Sequence, residues 1–347
     1  MQKKKGGKMI RPQKLSIGDT IATISPALGC AGDSKVIWKY QLGIERLKEL
    51  GLNVVAAPNS LKGSSFLASS PEARAEDFMW AFENKTVKAI IANIGGNDSE
   101  RLLPFISDDL IINNPKIFCG YSDIMTLHLY CYKLGLQTFY GDNLLTNIAE
   151  TQTWHTYSKY WFEKCFFDTS VIGNITPSDF WSFSKTDYYD PKNNKQYVKN
   201  NGYMKIQGEG IVKGRLFGGH GGLFELDKTG IILNDNDFEN KIFFLEDIPE
   251  ICDVEYMKGI FDILGERGWL NKLNGIIIGK MASAGDFEPY AQVVREVVSN
   301  KYGLYKLPIM YGLNFGHTSP IFILPYNALA ELDVDSLRFS ILESGVN

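Results

Sequence analysis

The chain has 347 residues, of which 36 are basic and 40 acidic, and the resulting net charge of −4 argues against a surface built to hold a nucleic-acid polymer. Hydrophobic residues make up 44% and charged residues 22%, the balance of a globular protein with one large or two medium cores. No run of 18 apolar residues occurs, so no membrane-spanning helix is expected.

The opening MQKKKGGK is strongly basic but lacks the apolar centre of a signal peptide, and it reads as a disordered tail. DTIATISPA (19–27) reads as a strand ending in a small-residue loop. Residues 34–49 place Val36, Ile37, Tyr40, Ile44 and Leu47 at helical spacing. LNVVAAP (52–58) is a second strand, SPEARAEDFMWAFEN (70–84) a helix opened by Ser-Pro, and VKAIIANIGG (87–96) a third strand ending in glycines. KIFCG (116–120) is a fourth strand and LQTFYG (136–141) a fifth. Strands separated by helices of this length predict an α/β fold: a parallel sheet with helices on both faces and ligand sites at the carboxyl ends of its strands.

The segment 170–206 changes character, being polar, aromatic and rich in turn formers; it is either a linker or a loop over a cleft. Strands return at 209–219, 241–248 and 273–281, and helices are expected at 254–267 and 288–299. The organisation expected is an N-terminal α/β domain (1–170), a linking or cleft-covering segment (171–207) and a second, smaller domain (208–347). The cysteines Cys30, Cys119, Cys131, Cys165 and Cys252 are odd in number and far apart, with no CxxC pair. They read as reduced, buried thiols of a cytoplasmic protein, with neither a metal site nor a disulfide scaffold.

One serine stands out. Gly120-Tyr121-Ser122-Asp123-Ile124 joins the fourth strand to a helix whose apolar positions are Ile124, Leu127, Tyr130, Cys131 and Leu134. Ser and Asp favour helix starts, where they accept orphan backbone N–H bonds. A serine on a tight strand-to-helix turn is also pushed clear of the sheet, with neighbouring N–H groups aimed at any oxyanion formed beside it. The second glycine of a G-x-S-x-G elbow is missing, which argues against an ordinary α/β-hydrolase.

A nucleophilic serine needs a base, and the base needs an orienting acid. His128 lies two turns into the helix, pointing away from the turn, and reads as structural; His155, in a polar-aromatic helix, reads as a surface or packing residue. His220, among four glycines in LFGGHGGLFEL, and His317, in the loop of YGLNFGHTSPIFILP, are equal candidates. FFLEDIPE (243–250) sets Glu246 and Asp247 directly after an apolar run, where a charge is costly unless paired or functional; the other reading is a turn with Glu246 facing solvent. IGGNDS places Asn97 and Asp98 at a strand end, available to a substrate amine or amide, unless Ser99 and Glu100 merely open the next helix.

In their order and spacing, SPA (25–27), IGGNDSERLLPF (94–105), NPKIFCGYSDIMTLH (114–128), TFYGDNL (138–144), GRLFGG (214–219), FFLEDIPE, NGIIIGKM (274–281) and GLNFGHTSPIFILP (312–325) resemble the LD-carboxypeptidases, the S66 serine peptidases, and most of all the branch of the microcin C self-immunity proteins. The resemblance covers most of the chain. It implies a catalytic Ser122, Glu246 and His317, a Rossmann-like or flavodoxin-like first domain with the active site between it and the second, a homodimer, and no cofactor. It also chooses His317 over His220. The backbone N–H groups of Gly96 and Asp123 are then expected to form the oxyanion hole, with Asn97, Asp98, Trp181 and His220 facing the substrate.

Three positions depart from the family pattern: Met125 where threonine is usual, Asp142 where proline is usual, and GGHGG (218–222) in place of GGNL. They bear on substrate more than on chemistry. The aromatic stretch 177–190, with Trp181, Phe183, Tyr188 and Tyr189, either stacks on a nucleobase over the cleft or packs the linker down. The substrate expected is therefore a murein tetrapeptide or an aminoacyl nucleotide. A non-catalytic small-peptide-binding protein is the alternative. A dinucleotide-binding oxidoreductase lacks its glycine fingerprint, since the first strand runs into SPALGCAGD.

Overall fold

The computed structural model describes residues 9–248, 250–281 and 287–347; the basic tail expected at the N-terminus lies outside the described residues. In the first half, β1 (Thr20–Ile24), β2 (Asn53–Ala56), β3 (Val87–Ala92), β4 (Ile117–Gly120) and β5 (Phe139–Tyr140) lie parallel in the order β5-β4-β3-β1-β2. The apolar runs of the central strands β3 and β4 are covered on both faces, and Ile90, Ile91, Ile117 and Phe118 have no exposed surface, whereas the edge strand β2 alternates exposed and half-buried residues.

The polar segment after residue 170 is more than a connector. It forms β6 (Gly173–Ile175), the short hairpin of β7 (Phe180–Trp181) and β8 (Val198–Lys199), and β9 (Met204–Gln207). β10 (Ile211–His220), β11 (Lys241–Glu246), β12 (Gly275–Gly279) and β13 (Ile309–Leu313) then run parallel at the centre of a second sheet. β6 and β9 are its two edges, so the linking segment brackets the sheet it leads into.

The C-terminal strands split between the two sheets. β14 (Leu324–Pro325) crosses back and pairs antiparallel with β5, Leu324 opposite Tyr140. β15 (Leu329–Asp333) and β16 (Arg338–Ile341) complete the second sheet. Both sheets are thus mixed, and the expected parallel first sheet gains one antiparallel edge strand from the far end of the chain. The residues between β13 and β14 span from one sheet to the other. An aromatic cluster fills the junction, with Tyr140 5.5 Å from Phe244 and Tyr326 5.3 Å from Phe244 between ring centroids.

The predicted helices appear at Ile37–Glu49, Pro71–Glu83, Met125–Leu134 and Val254–Glu266. The one expected at 288–299 begins at Phe287, and after Arg295 it widens into a looser helical turn, Glu296–Lys301. All five cysteines are buried free thiols. Among the described residues no helix is long and apolar enough to cross a membrane.

Candidate active site

Ser122 stands two residues beyond the fourth strand and adopts φ +66°, the left-handed region that a non-glycine residue enters only at a cost of about 1–3 kcal/mol. The surroundings enforce it. Tyr121 N–H donates to Asn143 Oδ1 at 3.3 Å and Ser122 N–H to the Tyr140 hydroxyl at 3.3 Å. Gly95 gives way to the turn: a Cβ there would stand 2.8 Å from Ser122 Cβ. His128 does not point away from this turn. Its Nε2 bonds the Gly120 carbonyl at 2.8 Å, and burial pushes its pKa down to about 3, so the ring is neutral and braces the strand end.

Glu246 ends β11 and is fully buried, which overturns the solvent-facing reading of that residue. Its Oε2 accepts from His317 N–H at 3.0 Å and lies 2.7 Å from His317 Nδ1, while Oε1 accepts from the Tyr140 hydroxyl. Burial alone would raise the Glu246 carboxyl; the His317 charge and the bonds from His317 and Tyr140 outweigh it and hold the pKa below its ordinary value. For His317, burial works against the charged ring, but Glu246 prevails and the pKa is raised. His317 Nε2 lies 2.9 Å from Ser122 Oγ. The loop can turn this tightly because Gly316 sits at φ +90°, where a Cβ would fall 2.1 Å from Glu246 Oε2.

The histidine that bridges serine and glutamate is therefore His317. His220 ends β10, in register with Glu246, and its Nδ1 accepts from Gly222 N–H at 3.1 Å. Burial lowers its pKa despite Asp247 and Glu246 nearby. It lines the same rim without entering the relay. Asp247 is buried too, and its Oδ2 accepts from Gly221 N–H at 2.9 Å and from the Tyr256 hydroxyl at 3.0 Å, fixing the backbone that follows His220. Met125, one of the departures from the family pattern, packs against the glycine that precedes another, His220: a Cβ on Gly219 would stand 2.0 Å from Met125 Sδ.

The 95–99 loop corrects one expectation. Asp98 is not free to meet a substrate amine. Its carboxylate takes two bonds from the buried Arg74, at 2.8 and 3.0 Å, and one from Arg101 at 3.1 Å. Arg74 also donates to the carbonyls of Pro26 and Ala27, so the pair staples the SPA loop to the 95–99 loop. Asn97 is exposed beside it, as is Gly96. The Asp123 side chain turns inward to accept from the N–H groups of Asp98 and Ser99, at 3.1 and 2.9 Å. That leaves Asp123 tied by its carboxylate to the loop carrying Gly96.

Trp181 is buried, Tyr188 half-buried against the core, and Phe183 and Tyr189 exposed, so the aromatic stretch divides between packing and display. Its hairpin is fastened to the histidine loop: Ser182 and Ser319 exchange backbone bonds of 2.7 and 2.9 Å. Glu150 reinforces this from the first domain, accepting from Ser319 Oγ at 3.0 Å and from the Tyr197 hydroxyl at 2.5 Å. Reading the residues one by one missed Tyr140, Gly95 and Gly316. The available signal was position: each lies at a strand end or beside a residue already singled out.

Comparison with known proteins assigns both parts of the chain to one family. Residues 21–141 match the model of the LD-carboxypeptidase N-terminal domain, and residues 213–332 that of the LD-carboxypeptidase C-terminal domain. The microcin C7 self-immunity protein MccF of Escherichia coli is 29% identical over 344 residues, 95% of this chain and 94% of that protein. A putative carboxypeptidase of Treponema pallidum is 30% identical, covering 92% of this chain and 91% of its own. The crystal structure of an MccF-like protein from Streptococcus pneumoniae in complex with AMP superposes with a TM-score of 0.85 at 31% identity, over 93% of this chain and 98% of that one.

Proposed function

The chain belongs to the S66 LD-carboxypeptidase family, a family of serine-type hydrolases, and from that premise we propose that Ser122, His317 and Glu246 hydrolyse an amide bond in a small peptide or peptidyl nucleotide. The observation that carries the proposal is His317, with one ring nitrogen 2.9 Å from Ser122 Oγ and the other 2.7 Å from Glu246 Oε2.

The chemistry follows from which atoms hold protons. Glu246 keeps the proton on His317 Nδ1, leaving Nε2 as the base. Nε2 takes the Ser122 proton as Oγ attacks the carbonyl carbon, and Glu246 stabilises the imidazolium. The Ser122 N–H is spent on Tyr140. The oxyanion is therefore assigned to the N–H groups of Asp123 and Gly96, each such donor lowering the barrier by about 3 kcal/mol. His317 then protonates the leaving amine, and water, deprotonated by the same nitrogen, releases the acyl group. His220 and Trp181 line the substrate side, and Asn97 borders the mouth.

Two substrates fit: a murein tetrapeptide cut before its terminal D-alanine, favoured by the family, and an aminoacyl nucleotide, favoured by the likeness to the self-immunity protein and to the AMP-bound structure. The experiment is incubation with each, the second as an aminoacyl-sulfamoyl adenosine, read by mass spectrometry against Ser122→Ala. The variant should lose about 10^6-fold in kcat. Cleavage of neither by the unaltered protein would sink the hydrolase reading and leave a binding protein. The homodimer and the cytoplasmic setting belong to the same proposal, and sedimentation equilibrium tests the first.

A further inference from the structure

The parallel run β10–β13 leads, at the carboxyl ends of its strands, to His220, Glu246, Lys280 and the loop bearing His317. Lys280 has no part in the relay. It is only 4% exposed, and no carboxylate lies within ion-pair distance of it among the described residues. Its ammonium sits 5.1 Å from the centre of the Trp181 ring. On the neighbouring strand Gly312 leaves the space open, since a Cβ there would stand 3.3 Å from Lys280 Nζ. The hairpin carrying Trp181 is the one fastened to Ser319, two residues past His317.

Two other lysines make the contrast. Lys39 and Lys116 are also buried, and burial pushes each to a pKa of about 8, as it does for Lys280. Yet Lys116 donates to the carbonyls of Ala81 and Asn84, and Lys39 to Thr151 Oγ1 at 3.4 Å. Among the described residues, the Lys280 ammonium meets the face of an indole and no hydrogen-bond acceptor. A desolvated ammonium without a counter-charge is costly, and an apolar side chain of similar length would fill the same space more cheaply. A cation kept there, at the carboxyl ends of parallel strands and beside the relay, is suited to a negative ligand.

We propose that Lys280 anchors an oxyanion of the substrate, a carboxylate or a phosphoryl oxygen, against the wall formed by Trp181. The proposal rests on the reading of this rim as the substrate site of a peptide or peptidyl-nucleotide hydrolase, and it makes Lys280 a determinant of specificity rather than of chemistry. A terminal peptide carboxylate and a nucleotide phosphate share the feature it would recognise.

Calorimetric titration of the Ser122→Ala protein separates the sources without turnover. The probes are AMP against adenosine, and a murein tetrapeptide against its C-terminal amide. The charged member of one pair should bind about 10- to 100-fold more tightly than the neutral one. Lys280→Met should erase that advantage and leave the neutral member's Kd unchanged, while Lys280→Arg keeps most of it. Thermal unfolding should find Lys280→Met as stable as its parent. An advantage that survives Lys280→Met, equal loss for charged and neutral probes, or binding of none of the four would overturn the proposal. Turnover by the unaltered protein together with charge-blind binding sinks this proposal alone. Oxyanion binding through Lys280 without turnover sinks the hydrolase reading instead.

Discussion

The turn that carries Ser122 and the loop that carries His317 come within 2.9 Å of each other, yet they are positioned by different means. The serine turn is a local device. A strand ends, one residue takes φ +66°, a helix begins, and Asn143, His128 and Gly95, all within 30 residues, brace it. The histidine loop is held from afar. It leaves the second sheet at Leu313, joins the first at Leu324, is clamped by Ser182 on the way, and is tethered by a glutamate 71 residues distant. A nucleophile can be preorganised by its own stretch of chain. A base that must face both the nucleophile and an acid on another sheet needs the whole molecule.

The sharpest way to break the long-range half is Glu246→Gln. It keeps the shape and removes the charge that sets the His317 tautomer, and kcat should fall about 10^4-fold. The pH profile adds a sign. Only neutral His317 can accept the serine proton, and Glu246 holds its pKa above the ordinary value. The acid limb of kcat/KM should therefore lie above pH ~6.5 in the unaltered protein. With Glu246→Gln, burial acts unopposed by that charge and the limb should move down. An acid limb that stays put would detach Glu246 from the relay.

Paired glycine substitutions sharpen the comparison. Gly316→Ala drives a methyl toward Glu246 and imposes φ +90° on alanine, so it should cost about 10^2-fold in kcat and also lower Tm. Gly95→Ala crowds Ser122 at 2.8 Å with no positive φ of its own, and should lower kcat by about 10-fold or more with a smaller fall in Tm. Equal losses of Tm would contradict the distinction between a local and a long-range device.

Tyr140→Phe removes a hydroxyl that bridges the two halves from outside the relay, between the Ser122 amide and the Glu246 carboxylate. A loss of about 10-fold in kcat is expected, because the packing stays and one hydrogen bond to a charge goes. The smallest effect on activity should come from Asp142→Asn. Burial holds the Asp142 carboxyl well above its ordinary 3.8, against the opposing charge of Lys195. An acid raised in the fold binds its proton more tightly there than in the unfolded chain. Stability is then fully present below pH ~4 and declines as pH rises toward the folded pKa. The asparagine variant should flatten that decline in chemical unfolding across pH, with kcat within about twofold of its parent.

Much of this was open to a reading of the chain. The strand-turn-helix around Ser122 is written in consecutive residues: an apolar run, a glycine, a helix-starting pair, then a 3.6-residue period. The central strands β3, β4, β11 and β12 announce themselves as short apolar runs that are buried along almost their whole length. The buried glutamate was signalled by the cost of a charge at the end of such a run. These are short-range properties, in which neighbouring side chains decide one another's conformation.

The rest depended on distance. Nothing in PIFILP says that two of its residues will pair with TFYG nearly two hundred positions earlier, and that pairing decides where His317 points. Asp98 looked free until Arg74, on another helix, took its carboxylate. The direction of the structural His128 ring was not legible, nor, from the residues alone, was the choice between His220 and His317, because a ring reaching back toward a strand end reads the same, in sequence, as one turned away. The sequence by itself determined the secondary structure around the nucleophile and the residue types that chemistry needs. Tertiary structure alone decided which carboxylate is spent on structure and which buried lysine meets the face of an indole, and it supplied the geometry for the histidine that the family resemblance singles out, because each depends on chain segments that meet only after both sheets have formed.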